Sequence, residues 1–248
     1  MKSAPLLALV LAGAAGCAAG AASAAPIEFS QVSCVVLPSQ HLNVASTVPG
    51  IVRSVHADRG GYVRRGQVLL NLASDLELAQ EKLAATKADM MKRKLDRNSE
   101  AISKHLISDQ ERDQLESDAK VAQQEYEVAH RAVMQKTTVS PIDGVVVSRK
   151  AEPGQYVGTD PAFELVALNP LNVELVFRVD AYGKIKPGGA ATVELGAPVN
   201  ATRRATVAIV DKVIDARSGT FGVRLKLPNP DLRIPSGVSC KARFDSGK

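Results

Sequence analysis

Gly50-Ile51-Val52-Arg53-Ser54 returns 94 residues later as Gly144-Val145-Val146-Val147-Ser148. The echo continues at the same offset, with Gly60-Gly61-Tyr62-Val63 matched by Gly154-Gln155-Tyr156-Val157. In each copy apolar and polar residues alternate and glycines punctuate the run, so each reads as a few short strands with tight turns. Gly50, Gly60, Gly66, Gly144 and Gly154 are the expected structural turn glycines. A half of about 30 residues cannot cover its own apolar face, whereas two facing halves can. Residues 45–73 and 137–168 are therefore expected to fold together as one split β-sandwich.

What separates the halves reads as helix. Residues 75–136 contain no Gly and no Pro, and Ala, Leu, Glu, Lys, Gln and Arg dominate, all good helix formers. Leu115, Ala119, Ala122, Tyr126, Ala129 and Val133 keep a strict 4-3-4-3-4 spacing, the mark of a coiled-coil seam. Leu76, Ala79, Leu83, Met91, Leu95 and Ile102 supply the facing stripe, with one change of phase. Ser74 with Glu77, and Ser108 with Glu111, have the form of capping boxes. The pattern breaks at Ser103–Ser108. Two antiparallel helices of roughly 27 residues, about 40 Å each, are expected over 74–136.

From residue 169 the chain is all β. Candidate strands are 172–179, 190–195, 204–213, 220–227 and 238–244, broken by Lys186-Pro187-Gly188-Gly189, Arg217-Ser218-Gly219 and Pro228-Asn229-Pro230. Such spacing argues for a small β-barrel over 26–44 and 169–248. The early strand 30–37 is the one free to close it against the last. The fold class is α+β, mainly β: a split sandwich, an inserted antiparallel coiled-coil α-hairpin and a small barrel.

Residues 1–25 read as an export signal. Lys2 is followed by the apolar Leu6–Leu11 and a run of small residues. Ala22-Ser23-Ala24 fits ordinary signal cleavage, while Ala14-Ala15-Gly16-Cys17 resembles a lipobox that would make Cys17 a lipidated first residue. The mature chain is thus expected outside the cytoplasm, free or tethered. There Cys34 and Cys240, in strand-like stretches near opposite ends, read either as two small buried hydrophobes or as a disulfide.

The same composition narrows the chemistry. The formal net charge is +5 and aromatic residues make up only 4% of the chain, which disfavours single-strand nucleic-acid binding by stacking. His41, His56, His105 and His130 show no metal-ligand spacing with either cysteine. No phosphate loop or nucleophile elbow is present, so no cofactor, metal or catalytic residue is expected. Asp143, before Gly144, reads as a turn aspartate.

In this nested order the chain resembles the periplasmic adaptors, or membrane fusion proteins, of tripartite efflux pumps. The resemblance is carried by Pro49-Gly50-Ile51-Val52 through Gln67-x-Leu69, by Ser140-Pro141-Ile142-Asp143-Gly144-Val145-Val146, and by Glu152-Pro153-Gly154-Gln155-Tyr156-Val157. The run from Gly219-Thr220-Phe221 to Pro228-Asn229-Pro230-Asp231 is similar to the family's barrel. It implies a lipoyl- or biotinyl-like sandwich, a hairpin reaching toward an outer-membrane channel, and a barrel nearer an inner-membrane transporter, RND-type favoured. It also implies a homo-oligomeric ring of about six and no enzymatic activity.

At the hairpin tip, Arg97 and Ser108 match the outer positions of the family's channel-docking pattern; Ala101 stands where Leu is usual, beside Ile102. Because the chain stops soon after Phe244, it is similar to a compact branch without a membrane-proximal domain, whose first and last strands carry cysteines like Cys34 and Cys240. The alternatives are an exported stand-alone binding module, and a lipoyl or biotinyl carrier. A carrier needs a lysine at the turn between the halves, where this chain inserts the helices.

Overall fold

The computed structural model describes residues 31–244; the expected export signal over residues 1–25, with Cys17, lies outside the described residues. Four strands come first: β1 (Gln31–Ala45), β2 (Gly50–Val55), β3 (Tyr62–Val63) and β4 (Val68–Leu72). Two helices follow, α1 (Asp75–Ser103) and α2 (Asp109–Met134), and then β5 (Thr137–Val139), β6 (Gly144–Arg149) and β7 (Tyr156–Val157). The chain continues through β8 (Pro161–Arg178), β9 (Ala190–Leu195), β10 (Thr202–Val210), β11 (Thr220–Leu227) and β12 (Cys240–Phe244).

The two copies of the repeat are interlocked by exchange. β2 of the first pairs with β7 of the second, Gly50 opposite Val157, while β3 pairs with β6, Val63 opposite Gly144. The turn glycines repeat the exchange: the Gly60 N–H donates to the Val146 carbonyl and the Gly154 N–H to the Val52 carbonyl, both at 2.8 Å. One core results, with Val52, Leu69, Leu70 and Leu72 from the first half and Val146, Phe163 and Leu165 from the second. Neither half could exclude water from these side chains by itself.

Gly60, Gly66 and Gly154 adopt positive φ, as turn residues do. Gly50 and Gly144 do not: they open strands β2 and β6. At Gly144 the requirement is steric, because an added Cβ would sit 2.3 Å from the Val166 carbonyl oxygen.

A second core lies beneath the sheet β12-β9-β10-β11-β8, built on Leu171, Val173, Leu175, Phe177, Val193, Phe221 and Leu225. In β11 every second residue is buried, the period-2 alternation of a strand with one wet face. β1 and β8 are continuous strands paired from Gln31–Phe177 to Ala45–Pro161, and they serve both cores. The sequence boundaries at 44/45 and 168/169 therefore fall inside strands.

Closure of the curled sheet differs from expectation. The main partner of β1 is β8 and that of β12 is β9. Between β1 and the C-terminal segment there is one bridge, Val35 with Ser239 just before β12, and the Ala242 N–H of β12 donates to the Gln31 side chain at 3.2 Å. The Val36 N–H donates to the Val238 carbonyl at 2.9 Å, and the Gly237 N–H to the Val36 carbonyl at 2.7 Å. A disulfide joins Cys34 to Cys240 at this seam, Cα atoms 5.1 Å apart. Inside the same core, buried Asn229 secures the loop after β11, donating to the Leu168 and Ile234 carbonyls at 3.0 Å each and accepting the Ile234 N–H.

Candidate docking site on the helix pair

α1 and α2 leave the sandwich from the ends of β4 and β5, which are themselves paired, Leu70 opposite Thr138. The Leu72 N–H donates to the Lys136 carbonyl at 2.8 Å, clamping the two exits together. Three ion pairs then cross between the helices: Lys136–Glu77 at 2.9 Å, His130–Glu81 at 2.6 Å and Lys87–Glu125 at 2.6 Å. One partner's number rises as the other's falls, so the helices run antiparallel.

The seam of α2 follows the spacing read from its sequence. Leu115 and Ala122 are buried, and Ala119, Tyr126, Ala129 and Val133 are half-buried. Of the stripe expected on α1, Met91, Leu95 and Ile102 face it, whereas Leu76, Ala79 and Leu83 do not. Leu76 and Leu83 are 67% and 73% exposed. The inward positions are Glu77, Glu81, Ala84, Ala88, Met91, Leu95, Asn98 and Ile102, a 4-3 alternation without any phase change. The base of the seam is polar because Lys136 and His130 stand opposite the two glutamates. Leu76, Leu83 and Met90 instead form an outward stripe at seven-residue spacing. It lies on the same flank as Val121 and Val128 of α2, since Lys87 and Glu125 bridge the helices on that side.

The capping signals divide in the same way. Ser108 caps α2, its Oγ accepting the Glu111 N–H at 3.2 Å. Ser74 precedes α1 without a side-chain cap bond. The expected box is dissolved by partners on other elements: Glu77 turns to Lys136, and Asp75 pairs with Arg53 of β2. Asp75 and Glu77 still favour the positive end of the helix dipole.

At the far end, Arg97, Ala101 and Ile102 occupy the last two turns of α1, and the Leu106 N–H closes the tip onto the Ala101 carbonyl at 2.9 Å. Arg97 and Ser108 are exposed, and Ala101 and Ile102 are half-buried between the helices. Leu106, 72% exposed, is the most prominent apolar group of the tip. An exposed loop leucine has no periodicity that would single it out in the sequence. Ion pairs of Arg112 with Asp113 and Asp109 stiffen the start of α2 and hold that guanidinium still more firmly protonated.

The hydrogen bond from Lys136 holds the Glu77 carboxyl below its usual range. A carboxylate lowered in the folded state stabilises it fully above the unfolded value and loses that contribution as pH falls through the folded one. The pair at the helix base is thus intact at neutral pH and lost in acid, below the ordinary glutamate range. Melting temperatures measured against pH are expected to fall less steeply on the acid side for Glu77→Gln than for the unaltered chain. Parallel curves would show that the pair contributes nothing.

Among the described residues no group of three or more His, Cys, Asp or Glu is placed to hold a metal ion. No described helix is long and apolar enough to cross a membrane.

The geometry is thus a sandwich split by two helices and joined through shared strands to a curled barrel sheet. The description "CzcB-like, barrel-sandwich hybrid domain" matches residues 40–167, and "CusB-like, beta-barrel domain" matches residues 176–248. The chain belongs to this family, that of the membrane fusion proteins.

It is 26% identical over 230 residues to the nickel-cobalt-cadmium resistance protein NccB of Alcaligenes xylosoxydans xylosoxydans, covering 81% of this chain and 58% of the relative. It is 26% identical over 216 residues to the cobalt-zinc-cadmium resistance protein CzcB of Cupriavidus metallidurans, covering 79% and 41%. The chain spans about half the length of the curated relatives it matches. In fold it is similar to a MacA–MexA chimeric protein carrying the Pseudomonas aeruginosa MexA α-hairpin. That likeness has a TM-score of 0.72 at 16% identity and covers 90% of this chain and 83% of the other.

Proposed function

We propose that the chain is the periplasmic adaptor of a tripartite efflux system, linking an RND-type inner-membrane transporter to an outer-membrane channel. The observation that carries this reading is the long helix pair inserted at the junction of a two-half sandwich, with its tip far from both cores. α1 has 29 residues, about 43 Å at 1.5 Å per residue. In this reading the pair is a coiled-coil hairpin whose tip, through Arg97, Ala101, Ile102, Ser108 and the exposed Leu106, meets the channel. The barrel faces the transporter.

The outward stripe of Leu76, Leu83, Met90, Val121 and Val128 supports a homo-oligomeric conduit of about six copies, in which each hairpin packs against a neighbour's. The leader sends the chain to the periplasm. The cargo is a divalent transition metal, by extension from the two metal-resistance relatives. No bond of the cargo is made or broken.

Cells lacking the protein are expected to lose tolerance to nickel, cobalt, cadmium or zinc, and to regain it with the unaltered gene. A chain with 75–136 replaced by a short Gly/Ser turn should fail to restore it. Its sandwich should still fold, because the exits of β4 and β5 are already side by side. Arg97→Asp should lower tolerance without lowering the melting temperature. Full tolerance with the shortened chain at normal protein levels would overturn the reading.

A further inference from the structure

The barrel sheet has an end remote from the sandwich. There Gln31 lies opposite Phe177, Arg178 opposite Thr220, and the Phe244 ring sits 5.6 Å from that of Phe177. The 3₁₀ turn Val179–Ala181 and the loop 211–219 crown this end.

Three apolar side chains protrude from it, Val32, Val179 and Val213, the last 79% exposed, while Tyr182, partly exposed, lies with its ring edge-on to Phe221 at 5.2 Å. Val213 is not on a loose segment. Its loop is tied by the Asp215–Thr220 bridge, by the Gly219 N–H donating to the Asp215 carbonyl at 2.8 Å, and by Ile214 packing on the barrel core. Val213 is thus held outward on a braced loop and buries little of its surface.

Around these residues stand Arg178, Lys184, Lys186, Lys212 and Arg217, all exposed and none in an ion pair among the described residues. The acidic groups facing them are Asp180, Asp211 and Asp215. Asp215 is turned inward on its own loop, accepting the Arg217 and Ser218 N–H groups at 2.8 and 3.1 Å.

The chain outside the described residues joins at this same end, through Gln31. It contains the apolar Leu6–Leu11 and, about 14 residues before Gln31, Cys17; that stretch spans at most ~50 Å when extended. A tether through Cys17 would therefore hold this end toward a bilayer.

We propose that this end of the barrel rests on an anionic phospholipid surface, with Val213 and Tyr182 entering the headgroup layer and the five basic side chains facing lipid phosphates. The protrusions are separate tips and not one concave apolar face, which suits a soft, continuous surface better than a shaped protein pocket. Amphipathic tyrosine sits well at such a boundary. Each basic residue held near an anionic surface strengthens binding about fivefold. The contact adds to the adaptor reading and assumes only its export.

The test is sedimentation of the chain from residue 26 onward, which omits the leader and any acyl group, with vesicles of equal phosphatidylglycerol and phosphatidylcholine. Binding is expected on these vesicles and not on pure phosphatidylcholine. Lys212→Glu with Arg217→Glu should weaken it more than about tenfold, and Val213→Asp should weaken it severalfold, all at unchanged melting temperature. Arg203→Glu with Arg204→Glu makes the same charge change further along β10, and should stay within twofold of the unaltered chain.

Absence of binding to the anionic vesicles would overturn the proposal, and point to a protein seat for this end. So would an equal loss in the Arg203/Arg204 pair, or no effect of Val213→Asp. Metal tolerance is not read in this assay, so the adaptor reading can fail in cells while the membrane contact stands, and the reverse.

Discussion

Replacing Cys34 and Cys240 together by serine is expected to lower the stability of the folded chain by several kcal/mol. The two cysteines are 206 residues apart in sequence, and closing a loop of that length in the unfolded chain corresponds to about 5 kcal/mol in the chain-entropy model, an upper value. The local reason is how little else closes the seam. β1 makes one bridge and two backbone hydrogen bonds with the segment just before β12, where a full ladder would give many more. Without the covalent link these terminal strands fray first. Denaturant unfolding of the oxidised chain and the double-serine variant measures the difference. Alkylation of both thiols in unreduced, denatured protein would show that the link is not formed, and an unchanged midpoint would show that it does not stabilise.

The second large effect is expected at Gly144. In Gly144→Ala the new methyl would lie 2.3 Å from the Val166 carbonyl oxygen and 3.0 Å from its carbon. These are backbone atoms of β8 and cannot swing aside, so β6 must move away from β8. That opens the sandwich core at Val146 and Leu165, which are almost wholly buried. A loss of about 3 kcal/mol is expected, the upper end for overpacking. Gly60→Ala is the contrast: its φ is +81°, with nothing within 4 Å of the added carbon. Its cost is conformational only, about 1 kcal/mol. Equal losses at the two sites would show that steric contact with β8 is not what Gly144 avoids. Because the sandwich aims the helix pair, Gly144→Ala should also depress any activity that depends on the tip.

Several features could be read before any coordinates. The 94-residue echo announced two equivalent halves, and their incompleteness as separate folds required them to share a core. The absence of Gly and Pro over 75–136, with a strict 4-3 alternation on α2, announced a helix pair of nearly the observed length. Ser108 was legible as a cap because its partner, Glu111, lies on the same turn.

The misread features share a cause. On α1 the apolar residues Leu76 and Leu83 were counted as the seam, yet the inward face begins with Glu77 and Glu81. A carboxylate can face inward only if a cation stands opposite, and Lys136 and His130 are brought there by the antiparallel pairing, some 50 residues away in sequence. Ser74 lost its capping partner to the same lysine.

By itself, then, the sequence determined what depends on neighbours within a few residues: strand alternation, helix propensity, the α2 seam, the glycine turns and the nested order of modules. Tertiary structure alone decided which flank of α1 faces its partner, that β2 and β3 exchange partners with β7 and β6, and that β1 and β8 run unbroken through both cores. It also decided that β1 meets the C-terminal segment through one bridge just before β12, beside a disulfide. Each of these depends on groups far apart in sequence, whose charge, shape and hydrogen-bonding capacity act on one another only after the chain has brought them together.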